Sequence, residues 1–177
     1  MECSKSYHTT SKEVFKLKHI AMDISGNFKE GKGTTGISIS EDGEILELTE
    51  ISAKRYETQY QYWLAHEMLL QNIKPDHVTI EGYKLYNHKG MAASTQSNSE
   101  LETPQLLGML KYICTKRNIP YNIQFASEIK TRWSEDVLVR LGILEEKNGR
   151  YYWNGKQTNN HKRDALKHAL HWWRYKK

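Results

Sequence analysis

Apolar and polar positions alternate with period two over residues 35–40, residues 45–51 read as a further strand, and Glu41-Asp42-Gly43-Glu44 between them carries the Asp-Gly signal of a tight hairpin. Upstream, Lys18-His19-Ile20-Ala21-Met22-Asp23 reads as a strand that ends on an aspartate. Gly26, Gly31 and Gly33 predict a flexible loop between these strands. A helix is expected over residues 56–72, with Tyr60, Trp63, Leu64, Met68 and Leu70 as its apolar set, broken by Pro75-Asp76. Residues 77–81 predict a fourth strand, again ending on an acid, Glu81. A polar loop spans 82–97. Thr103-Pro104 predicts a helix start, with a capping hydroxyl and proline at the first helical position, running to about residue 117. Residues 121–125 form a fifth strand, 127–133 and 135–142 short helical segments, and 149–156 a small hairpin. A last helix begins near Asn159. Antiparallel strands first, then strand–helix alternation, predict a mixed α/β sheet covered by helices.

At 100° per residue the last helix has three sides. Leu166, Ala169, Leu170 and Trp173 make an apolar stripe. Arg163, Lys167 and Arg174 make a basic side suited to solvent or a polyanion. His161, Asp164 and His168 share a third face, where an imidazole and a carboxylate can share a cation.

Composition narrows this picture only a little. The chain has 177 residues, enough for one core; residues 1–16 read as a polar N-terminal arm and 17–177 as a single domain. Lys and Arg number 26 against 21 Asp and Glu, a net charge of +5. That excess suits nucleic acid without requiring it. Two cysteines, Cys3 and Cys114, make no disulfide framework or metal pair, and there is no apolar signal core or membrane-length apolar run. The expected location is the cytoplasm.

Asp23 and Glu81 each close an otherwise apolar strand. If those strands are neighbours and parallel, both carboxylates sit at one end of the sheet, where α/β folds place their sites. Paired carboxylates repel unless a cation binds, and their oxygens favour Mg2+ or Mn2+. Asp164 and His161 would bring the set to four residues from three segments, an arrangement suited to two-metal phosphodiester hydrolysis. Each residue also has a plain explanation: strand-end acids are commonly solvated, and Asp164 suits the first turn of a helix electrostatically.

The sequence resembles the RuvC-type Holliday-junction resolvases of the ribonuclease-H-like nucleases, in a divergent form suggestive of a phage. The resemblance rests on Asp23 followed by Thr35-Gly36, Ile80-Glu81, Gln105-Leu106-Leu107-Gly108, Ala126-Ser127-Glu128-Ile129-Lys130 and His161-Lys162-Arg163-Asp164-Ala165, in that order. It covers residues 17–172. The loop between Asp23 and Thr35, the segment 149–157 and the arm 1–16 depart from the family pattern. The resemblance implies a ribonuclease-H-like fold, a five-stranded mixed sheet with helices on both faces. It implies a homodimeric, Mg2+-dependent endonuclease, with Mn2+ substituting and two ions per site, that cuts four-way DNA junctions symmetrically in DNA recombination and repair. Asp23, Glu81, His161 and Asp164 would be its catalytic and metal-binding residues, His161 as ligand or proton donor. Lys130 would contact a phosphate, and Tyr83, Tyr86, Lys84, Lys89 and Arg163 the DNA. His168 is left as a supporting or packing residue. Other readings keep the fold but act on flaps, other branched DNA or RNA–DNA hybrids, or bind DNA without cutting it. No membrane or small-molecule cofactor is expected.

Overall fold

The computed structural model describes residues 16–84 and 101–175. Strands β1 (Lys18–Asp23), β2 (Thr34–Glu41) and β3 (Glu44–Ser52) form an antiparallel meander. The β2–β3 connection is the expected two-residue turn, with Asp42 at φ 49° and Gly43 at φ 93°, the left-handed pair that a type I′ hairpin needs. Helix α1 (Gln59–Ile73) leads to β4 (His77–Glu81), and helix α2 (Glu102–Lys116) leads to β5 (Tyr121–Gln124). β4 lies parallel to both β1 and β5, so the sheet order is β3-β2-β1-β4-β5. Two short helices, α3 (Ala126–Ile129) and α4 (Glu135–Arg140), follow. Three small strands, β6 (Glu145–Lys147), β7 (Arg150–Trp153) and β8 (Lys156–Gln157), form a separate sheet. Helix α5 (Asn160–Tyr175) ends the fold.

Strand parity decides what each face of the main sheet carries. Ile20, Met22, Ile37, Ile39, Val78 and Ile80 point toward α1 and α2 and make the main core with Tyr62, Leu70, Leu106 and Leu110. The opposite face carries small or polar residues (His19, Ala21, Ser38, Ser40 and Thr79), all buried under α5. Asp23 and Glu81 have the same parity, so they too face α5. Helix α5 meets this face through Ala165 and Ala169, which let it approach closely, while Leu166 joins a second cluster with Ile129, Trp133, Leu138 and Leu144. Its far end is held by Trp172, stacked on His19 at 4.1 Å between ring centroids, and by Trp173, whose Nε1 donates to Ser40 Oγ (2.8 Å).

Four local expectations are corrected. The buried face of α1 is Tyr62, His66 and Leu70; Tyr60 and Met68 are exposed. The helix is closed at its start by a reciprocal Thr58–Gln61 capping box. Thr103 does not cap α2, which begins after Leu101; its Oγ1 instead accepts from Gly26 N (3.0 Å). The glycine-rich loop is thereby pinned to α2, and Gly33 N donates back to Asn27 O (2.8 Å) within it. The basic side of α5 is not a solvated face, because Arg163 and Lys167 are buried.

Candidate active site

The register His19↔His77 through Met22↔Ile80 between parallel β1 and β4 brings Asp23 and Glu81 level at the carboxyl ends of adjacent strands. Their carboxyl groups are close enough to act on each other's protonation. Helix α5 enters above them. Asn159 Oδ1 accepts from Lys162 N (2.9 Å) and caps its first turn. His161 in that turn reaches down, and its Nδ1 donates to Asp23 Oδ2 at 2.7 Å.

The close approach of the helix depends on Gly36, which pairs with Asp23 across β1–β2. A Cβ on Gly36 would stand 2.0 Å from the carbonyl oxygen of His161 and 2.7 Å from Lys162 N. The neighbouring Thr35 points the other way, into the α1 side, where Thr35 Oγ1 lies 2.9 Å from His66 Nε2 and 3.2 Å from Tyr62 OH. The two residues of this Thr-Gly pair therefore serve opposite faces of β2.

Burial and proximity set the protonation of the acids. Burial lifts Asp23, the Glu81 carboxyl lifts it further, and the His161 bond opposes both, leaving it at about 7. Burial would raise Glu81 as well, but its bond to His168, the Asp23 carboxyl and the charge of Lys130 bring it below the usual carboxylate range. His161 is raised, first by its bond to Asp23.

A residue expected only to support or pack lies directly on this pair. His168, two turns after His161, is fully buried, and its Nε2 donates to Glu81 Oε2 at 3.2 Å. Its Nδ1 meets the side-chain amide of Gln124 at 2.6 Å, and Gln124 sits opposite Glu81 in the β4–β5 register. Gln124 was legible only as a strand residue; its parity with Glu81 is the one sequence signal that could have exposed it.

Asp164 is paired with a lysine of its own helix. Its Oδ1 accepts from Lys167 Nζ (2.7 Å), and the same ammonium bonds Glu135 Oε1 (2.8 Å). Arg163, expected to contact DNA, is buried and engaged within the protein. Its guanidinium donates to Glu135 (3.3 Å), to Thr158 O (3.2 Å) and to Asn160, and lies 4.8 Å over the Tyr151 ring. The arginine fastens the small sheet and α4 to α5. Asp164, Lys167, Glu135, Asn160, Ser134 and Lys130 line a polar cleft beside the carboxyl pair. Lys130 is exposed, as are Tyr83 and Lys84 just after Glu81, with Lys84 Nζ 4.1 Å above the Phe125 ring. Tyr86 and Lys89 lie outside the described residues. Among the described residues no three His, Cys, Asp or Glu side chains already converge as a cation cage; Asp23, Glu81 and Asp164 each have a protein partner. No helix among them is long and apolar enough to cross a membrane.

No family model and no curated protein matches the chain. Solved structures do. RuvC of T. thermophilus in complex with a Holliday junction substrate is similar with a TM-score of 0.59 at 16% identity, over 87% of this chain and 90% of that one. A second Thermus thermophilus RuvC structure gives 0.55 at 12% identity, over 87% and 92%. The chain has the RuvC fold, an α/β fold of the ribonuclease-H-like type built on a five-stranded mixed sheet.

Proposed function

We propose that this protein is a divalent-metal-dependent endonuclease that cuts four-way DNA junctions as a homodimer. The observation that carries the reading is the juxtaposition of Asp23 and Glu81 at the carboxyl ends of two parallel strands, under His161, in a fold shared with a protein solved on a Holliday junction. The donor set fits a hard cation. Two neighbouring carboxyls, Asp23 buried and Glu81 half-buried, repel each other when both are charged, a need that Mg2+ or Mn2+ would meet. Asp23, Glu81 and Asp164 would hold the ions, with His161 serving either as a further ligand or as proton donor; when bound, the ions would supply an activated water and charge stabilisation at the phosphate.

The chain's own residues account for the rest. Asp23 fixes the His161 ring by its Nδ1, which leaves Nε2 to hand a proton to the departing 3′ oxygen. His161 is half-exposed, so this edge is within reach of a strand. Lys130 at the cleft mouth would hold a phosphate, while Tyr83 and Lys84 would meet bases and backbone beside the cut.

The test is cleavage of a synthetic four-way junction, with flap, duplex and RNA–DNA hybrid substrates in parallel and the mass in solution measured by sedimentation. Symmetric Mg2+-dependent nicking by a dimer, lost in Asp23→Asn, is expected. Undiminished cleavage by Asp23→Asn would overturn the assignment, and preference for a flap or hybrid would replace the substrate.

A further inference from the structure

We propose that His168, itself oriented by Gln124, is the positioning residue that aims the Glu81 carboxylate at the reacting centre. The inference rests on the nuclease reading above and adds a role to a residue which the catalytic set does not contain.

Each of the two neighbouring acids carries one histidine of α5. His161 is half-exposed and can meet substrate. His168 is fully buried, so it acts only through what it touches. It touches Glu81 Oε2 with one ring nitrogen and the Gln124 amide with the other. An amide can serve Nδ1 as donor or acceptor, so Gln124 fixes the ring plane in either charge state and keeps an N–H directed at Glu81. Gln124 is itself 1% exposed and held in the sheet opposite Glu81, so the support is rigid.

Glu81 needs such support. Its side chain has three rotatable bonds, a like-charged neighbour in Asp23 and the attraction of Lys130 from the cleft. Left free, the carboxylate would drift toward the lysine. With one oxygen held by His168, the other is presented beside Asp23. Partners of this kind contribute about 10–100-fold to metal affinity or activity when they orient a ligating group.

The experiment uses the full-length protein and Mn2+ as probe, with free Mn2+ read by electron paramagnetic resonance without DNA, alongside junction cleavage. His168→Phe keeps a ring in the cavity and removes the N–H. His168→Gln restores an N–H, and Gln124→Met removes the amide while leaving the imidazole. About 10–100-fold weaker Mn2+ binding is expected for His168→Phe, with recovery of most of that loss in His168→Gln and an intermediate loss for Gln124→Met. Wild-type Mn2+ binding in a folded His168→Phe would overturn the inference, as would equal losses in His168→Phe and His168→Gln, which would mark a packing role. If His168→Phe does not fold, Gln124→Met decides: unchanged Mn2+ binding overturns the inference. Retained cleavage in Asp23→Asn would instead overturn the nuclease reading itself.

Discussion

Replacing Gly36 by alanine tests how the site is assembled. The added Cβ would lie 2.0 Å from His161 O and 2.1 Å from its carbonyl carbon, where real Cβ atoms do not come within 3.0 Å. Both obstructing atoms are backbone, so no side chain can swing aside. The first turn of α5 must rise from β2 by about 1 Å or more to clear it. The His161–Asp23 bond, now 2.7 Å, would lengthen to about 3.7 Å, beyond hydrogen-bonding range. Overpacking of this kind costs about 1–3 kcal/mol, and a 1 Å misplacement of a catalytic group can cost about 100-fold in rate. Gly108→Ala is the matched control. Among the described residues a Cβ there meets nothing within 4 Å, so the helix α2 gains about 0.5–1 kcal/mol or stays neutral. Urea denaturation followed by tryptophan fluorescence, with junction cleavage on the same samples, reads both quantities. Gly36→Ala with wild-type midpoint and rate would refute the claim that close helix–strand approach positions His161.

Acid should destabilise the protein well above the carboxylate range. Burial holds His19 at about 3 and His66 at about 4, so both are neutral in the fold; His66 is locked by Tyr62 O and Thr35 on its two nitrogens. Folded values below the unfolded value near 6.5 mean stability is complete above that pH and lost as pH falls toward the folded values. At pH 5, still above both folded values, the loss is about 2 kcal/mol per histidine, offset in part by Asp23 and His161, whose raised values favour the fold as pH falls; a His66→Gln variant losing as much stability between pH 7.5 and 5 as the wild type would contradict the His66 share. Arg163→Leu should cost about 1–3 kcal/mol of stability by stranding Thr158 O and leaving Glu135 with Lys167 alone, yet leave the salt dependence of junction binding unchanged. Lys130→Ala should do the reverse, leaving stability alone and reducing the log–log salt slope by about 1; interchange of these two outcomes would show the basic residues to be wrongly sorted.

Much of the site was legible before any folding, because strand periodicity is local. Asp23 and Glu81 stand out as acids closing apolar strands, but that those strands are parallel neighbours was only a condition until the sheet order was seen. The His161–Asp164 spacing singled out the helix turn that meets Asp23. Tertiary structure then divided residues that the sequence treats alike. His161, Asp164 and His168 share a helix face by period, but the sheet edge below them differs at each turn: Asp23 lies under the first and Glu81 under the last, while Asp164 falls beside Lys167 and Glu135. Arg163 reads as a DNA-facing cation until α4 and β7 supply its carboxylate and its ring. Exposed Tyr60 and buried Tyr62 are equally apolar on paper; only the orientation of α1 over the sheet separates them. Period and capping chemistry act within a few residues and are written along the chain. Which partner neutralises a charge depends on segments some 30 to 140 residues away, such as His161 and Asp23, and that pairing is decided only when the helix settles on the sheet.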